Sequence, residues 1–133
     1  MISKINHIGI AVTNLDEALK FYTDALGLKL QDIEVVEEQK VKTAIIPVGE
    51  AKLELLESTD PEGPIGKFLE SKGEGLHHLA FEVENVVDAL TTVKDKGVTV
   101  IDETPRGGVE NTKIAFLHPK STRRVLMELT ETP

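Results

Sequence analysis

Two segments of the chain, HIGIAVTNLDEAL (residues 7–19) and HLAFEVENVVDAL (78–90), superimpose at a constant offset of 71. His7 meets His78, Val12 meets Val83, Asn14 meets Asn85, and Ala18-Leu19 meet Ala89-Leu90. The correspondence continues downstream. GLKL (27–30) falls on GVTV (97–100) at an offset of 70, AIIP (44–47) on AFLH (115–118) at 71, and LELLES (53–58) on MELTET (127–132) at 74. Loop insertions account for a drift of this size. The chain is a tandem duplication of a unit of about 60 residues, so both halves must fold alike and place equivalent side chains at equivalent points.

Within one unit the order of elements follows from periodicity. HIGIAV is β-branched and apolar and reads as a strand. In TNLDEALKFYTDAL, Leu15, Ala18, Leu19, Tyr22, Ala25 and Leu26 form the stripe of an amphipathic helix. Thr13 or Asn14 caps its start and Gly27 closes its end. Three strand-like runs follow, LKLQDIEVV, KVKTAIIPV and AKLELLES, with a tight turn at VGEA. The second unit repeats the scheme, with a helix from about Val86 to Lys96 stopped by Gly97. The expectation is an α+β chain of two βαβββ modules, residues 4–58 and 75–132, joined by a linker (59–74) in which PIGKFLESK forms a short helix.

A chain of 133 residues is of single-domain size. The absence of cysteine excludes disulfides and thiolate metal sites. No run approaches the ~20 apolar residues of a membrane span, and nothing resembles a signal peptide, so a cytoplasmic protein without a membrane partner is expected. The net charge of −8 argues against nucleic acid. Five of the 15 basic residues nonetheless crowd into positions 106–124: Arg106, Lys113, Lys120, Arg123 and Arg124, with only Glu110 opposing them. That segment is either a solvated loop or a local site for a phosphate- or carboxylate-bearing ligand.

Side chains alternate across a strand, so His7, Gly9 and Ala11 share a face. The repeat then pairs His7 with His78, and Glu54 in KLELLE with Glu128 in VLMELT. Each carboxylate sits in an apolar strand, where an unpaired charge is poorly tolerated. Two imidazoles and two carboxylates at matched positions are what a divalent transition metal binds. His77 alternates with His78 and reads as structural or as a support for it. His118 has no histidine counterpart and either packs or lines the site.

HIGIAV…FY…LG, GEGLHHLAFEV, AFLHPKS and VLMEL together resemble the vicinal oxygen chelate (glyoxalase/bleomycin resistance/dioxygenase) superfamily, and within it the methylmalonyl-CoA epimerases. The likeness spans nearly the whole chain. It implies one vicinal oxygen chelate domain over residues 1–133, whose modules curl into a cupped, mostly antiparallel eight-stranded sheet, often in a homodimer. It also implies one divalent metal ion per site, Co2+ first with Ni2+, Mn2+ or Zn2+ as alternatives, held by His7, Glu54, His78 and Glu128. The implied activity is that of an isomerase acting on an acyl-CoA: the α-proton of methylmalonyl-CoA is removed, and a metal-stabilised enolate is reprotonated from the opposite face. Glu128 and Glu54 are the candidate proton carriers, and a water beside Thr43 is the alternative to Glu54. Lys120, Arg123 and Arg124 are candidates for the CoA phosphates.

The chain departs from the epimerase pattern at three places. Glu54 stands where epimerases often carry Gln, and the extra charge would soften Lewis acidity. Thr43 stands where some carry a Glu proposed as an acid/base. STRRVLMEL carries an arginine pair where small residues such as Gly are usual. Glyoxalase I, with the same ligand types, is the alternative reading. A non-catalytic member binding a small anion is a second.

Overall fold

The computed structural model describes residues 1–133. Contacts gather the chain into two compact units, residues 7–77 and residues 1–6 with 78–133. The first repeat supplies β1 (Ile2–Ala11), α1 (Leu15–Leu19), β2 (Asp32–Val36), β3 (Val41–Val48) and β4 (Ala51–Ser58). After α2 (Pro64–Lys72), the second supplies β5 (Gly75–Val83), α3 (Val86–Asp95), β6 (Arg106–Gly107), β7 (Lys113–Leu117) and β8 (Met127–Glu131). The α+β class and the twofold βαβββ order are those expected. The eight strands form one mixed sheet in the order β2-β3-β4-β1-β5-β8-β7-β6. In each repeat the first and last strands pair in parallel, β1 with β4 and β5 with β8, while the hairpins between them are antiparallel. No helix is long and apolar enough to cross a membrane.

Equivalent residues build both helices the same way. Asn14 Oδ1 accepts the amide of Glu17 at 3.0 Å, and Asn85 Oδ1 accepts that of Asp88 at 3.0 Å. Carboxylates from the last strands reach the same helix starts. Glu57 Oε2 takes the Leu15 amide at 2.7 Å, and Glu131 Oε1 takes the Val86 amide at 2.9 Å. Each thus places a negative charge where exposed N–H groups leave a helix end partly positive. The apolar stripe of residues 15–22, with Leu15, Ala18, Leu19 and Tyr22, packs on Ile10, Val12, Ala44, Ile46, Leu53 and Leu55. In the other unit Val86, Ala89, Leu90 and Val93 pack on Phe81, Val83, Ala115, Leu117, Met127 and Leu129. The helix-facing positions of the strands are thereby filled, which leaves the alternate positions for chemistry.

Two expectations need correction. The single helix over 13–26 is an α-helix only as far as Leu19; Lys20–Ala25 winds as a π turn. Thr23 donates its hydroxyl to the Leu19 carbonyl at 2.7 Å, and the amides of Leu26 and Leu28 reach back to Phe21 and Tyr22 at 3.1 and 3.0 Å. The Leu26 bond spans five residues and the Leu28 bond six, where a regular α-helix spans four. GVTV (97–100) forms no strand of its own and keeps only a bridge from Val100 to Leu117. There Asp102 Oδ2, rather than a carbonyl, accepts the Phe116 amide at 2.8 Å, and this breaks the ladder.

Candidate metal centre and active site

His7 and Glu54 come together because β1 and β4 run parallel, with Gly9 opposite Glu54. Leu53 and Leu55 turn to the helix-side core, so Glu54 and Leu56 take the other face. His7 Nδ1 lies 3.4 Å from Glu54 Oε2, and the two residues are 3% and 4% exposed. Burial, aided by the charge of Lys52, lowers the His7 pKa to about 3. The imidazole is therefore neutral near pH 7, the form that can ligate a metal. Thr43 is buried on β3 opposite Leu56 and shares the face of Glu54. Its hydroxyl offers a hydrogen bond but no ionisable group.

The second half-site repeats this arrangement. Ala80 of β5 and Phe116 of β7 flank Glu128 of β8, and the Leu129 side chain joins the core behind it. His78 Nε2 lies 3.5 Å from Glu128 Oε1, both residues being buried. The Thr130 hydroxyl donates to Glu128 Oε2 at 2.6 Å. Burial pushes the Glu128 carboxyl up to about 7, against the opposing influences of the Thr130 hydrogen bond and the Arg106 charge, while Asp102 adds to the rise. The Phe116 ring meets the His78 ring edge-on at 5.5 Å, and the Arg106 guanidinium stands over Phe116 at 5.5 Å. Asp102 holds Arg106, Nε to Oδ1 at 3.2 Å.

The ligand atoms of His7, Glu54 and His78 all lie within 4.8 Å of one another, and this group could hold a metal ion. Glu128 falls outside that trio and meets it through His78. Neutral imidazole with carboxylate suits a divalent first-row cation, and the three donors are buried, so the donor set fits the expected cofactor class. His77 packs its ring against Phe68 of α2 at 4.9 Å, as a structural residue does. His118 is exposed and accepts the Lys120 amide on Nδ1 at 3.1 Å, which makes it a loop cap. Lys120, Arg123 and Arg124 are exposed together on the loop between β7 and β8. Arg106 leaves the basic group, because Asp102 neutralises it. Sequence reasoning missed Thr130, Asp102 and the paired state of Arg106. Only Thr130 had a signal: it lies two residues from Glu128 and so on the same strand face.

Comparisons with known proteins place the fold and the family. An uncharacterised protein of Bacillus subtilis, YqjC, is 44% identical over 98% of this chain and 93% of its own length. The ethylmalonyl-CoA/methylmalonyl-CoA epimerase of Cereibacter sphaeroides is 32% identical over 98% of this chain and 99% of its own. A methylmalonyl-CoA epimerase solved with methylmalonyl-CoA and NH4+ superimposes with a TM-score of 0.96, at 38% identity over 99% of this chain and 96% of that one. Residues 6–116 match the family pattern itself, and the chain belongs to the Glyoxalase/Bleomycin resistance protein/Dioxygenase superfamily.

Proposed function

We propose that this chain is an isomerase that epimerises methylmalonyl-CoA at the carbon between its thioester and its carboxylate. The observation that carries the reading is the buried donor group of His7, Glu54 and His78, in a chain 38% identical to an epimerase that binds this substrate. We assign His7, Glu54, His78 and Glu128 as the ligands of one divalent ion, Co2+ before Ni2+, Mn2+ or Zn2+. When bound, that ion supplies Lewis-acid stabilisation of the charge that develops on the thioester oxygen, worth several kcal/mol of barrier. The residues of the chain do the rest. Glu128 exchanges the α-proton on one face of the substrate. Glu54 serves the other face, and a water held by Thr43 is the alternative. The proton returns to the opposite side of the planar enolate, which inverts the centre. In this reading the 133 residues work as one cytoplasmic domain, paired in a homodimer.

The test is incorporation of solvent deuterium at the α-carbon of methylmalonyl-CoA, before and after chelation and again with Co2+ restored. Exchange that disappears on chelation and returns with the metal is expected. No exchange in any arm would overturn the reading. Glu54 favours one further assay, because a carboxylate there completes the ligand types of glyoxalase I. Turnover of the hemithioacetal of methylglyoxal and glutathione, in the absence of α-exchange, would place the chain with that activity instead.

A further inference from the structure

Strand β2 is an end strand of the sheet and has β3 as its one neighbour. Its polarity is inverted. Ile33 and Val35 are 38% and 48% exposed, whereas Glu34 between them is half-buried. A strand laid on a core ordinarily does the reverse, because an inward carboxylate gives up hydration that an apolar side chain never had. Register fixes the face that Glu34 shares. It lies opposite Thr43 of β3, and Thr43 lies opposite Leu56 of β4, two residues after Glu54. Residues directly opposed on neighbouring strands point to the same side, so Glu34, Thr43 and Glu54 share one face. Val36 confirms it, since it alternates with Val35 as Glu34 does and packs against Ala11, Val41 and Leu56. Opposed Cβ atoms stand about 5 Å apart, a gap that a glutamate side chain spans. Asp32 is the other acid of β2 on this face, but it is exposed and its Oδ1 accepts the Ile33 amide at 2.9 Å. Thr43 is buried and its hydroxyl does not ionise, so a water beside it needs an ionisable neighbour to take up or return a proton. Glu34 is the cross-strand residue that can do so.

We infer that Glu34 is the second proton carrier, exchanging the α-proton through a water held by Thr43. The inference rests on the proposed epimerase reading; it favours the Thr43 water over Glu54 and leaves Glu54 to the ion. As the α-C–H bond breaks, its electron pair passes into the thioester to form the enolate. The water takes the proton and hands one of its own to the Glu34 carboxylate. Reprotonation from this side runs the same path in reverse. With two carriers, each removes the proton of one epimer, and this makes the roles separable. The two epimers of methylmalonyl-CoA are incubated separately in deuterium oxide with the metal-loaded wild type, Glu34→Gln or Glu34→Asp, and inversion and α-deuteration are both followed. Glu34→Gln is expected to invert either epimer about a hundredfold more slowly, yet to deuterate one epimer, and only one, with retention. Its KM and melting temperature are expected to stay at wild-type values, and Glu34→Asp to restore part of the inversion. Inversion by the Gln variant within tenfold of wild type would overturn the assignment, including the case in which the variant self-associates because the charge only guards an edge strand. Equal loss of exchange from both epimers would overturn it too, as that is what a purely structural role produces. Unaffected variants beside an active wild type remove only Glu34, whereas a wild type that exchanges neither epimer removes the epimerase reading itself.

Discussion

At the scale of single residues, the site is a set of groups whose ordinary charges burial opposes. Glu128 titrates near 7 in the folded chain against an ordinary value of 4.5, because burial penalises its charge. Folding therefore takes up a proton between those values, and the metal-free protein loses stability as the pH rises from 4.5 through 7. Glu128→Gln keeps an acceptor for the Thr130 hydroxyl and removes the titration. Urea unfolding of the metal-free proteins is expected to show the Gln variant more stable at pH 8, by up to about 3 kcal/mol, with the gap closing toward pH 4.5. A gap that stays constant across that range would mean burial does not burden this carboxyl. His77 carries the opposite sign. Its pKa is lowered to about 4 by burial and by Lys72, so its contribution is whole above 6.5 and is lost as the pH falls toward 4. His77→Phe preserves a ring for Phe68 and is expected to flatten part of the acid limb of the same curve. His7, at about 3, retains the remainder.

At the scale of elements, the repeat reaches beyond the site to the helix starts. Glu57 and Glu131 occupy equivalent places three residues after Glu54 and Glu128, and each closes the start of its own module's helix. These are charge-assisted bonds at a helix N-terminus, so Glu57→Gln and Glu131→Gln are each expected to cost about 1 kcal/mol in urea unfolding at neutral pH. The two losses are expected to match and to add in the double variant, since the sites share no partner. A loss at one position alone would show that the duplication no longer governs local energetics. These pairs also show where the sequence was readable. Gly27 and Gly97 act through their neighbours in the chain, and their roles as stops were legible from position alone, as was a cap at Thr13 or Asn14. Glu57 and Glu131 act across 42 and 45 residues, which no local pattern reveals. The π turn at Lys20–Ala25 was hidden for a different reason. The apolar stripe reads the same whether the backbone winds with four or five residues per bond, so periodicity does not distinguish them.

For the whole molecule, the proposed ligand set takes one histidine and one carboxylate from each repeat, so neither repeat alone would supply all four. The grouping of His7, Glu54 and His78 was legible because the offset recurs along the chain. The pairing of Arg106 with Asp102 was not, because neither residue has a counterpart in the first repeat. If a single ion engages donors from both repeats, it must stabilise the folded chain as a unit, since the unfolded chain presents those donors far apart. At a hundredfold excess of metal over its dissociation constant, the gain is about 2.7 kcal/mol. Chelated protein is therefore expected to melt several degrees lower than protein given excess Co2+, with the shift growing as the logarithm of metal concentration. His7→Ala and His78→Ala, one from each repeat, are each expected to abolish the metal-dependent part of the shift. Were either variant to keep the full metal response, the ion would be held by one repeat alone, and the assignment of four matched ligands would be wrong.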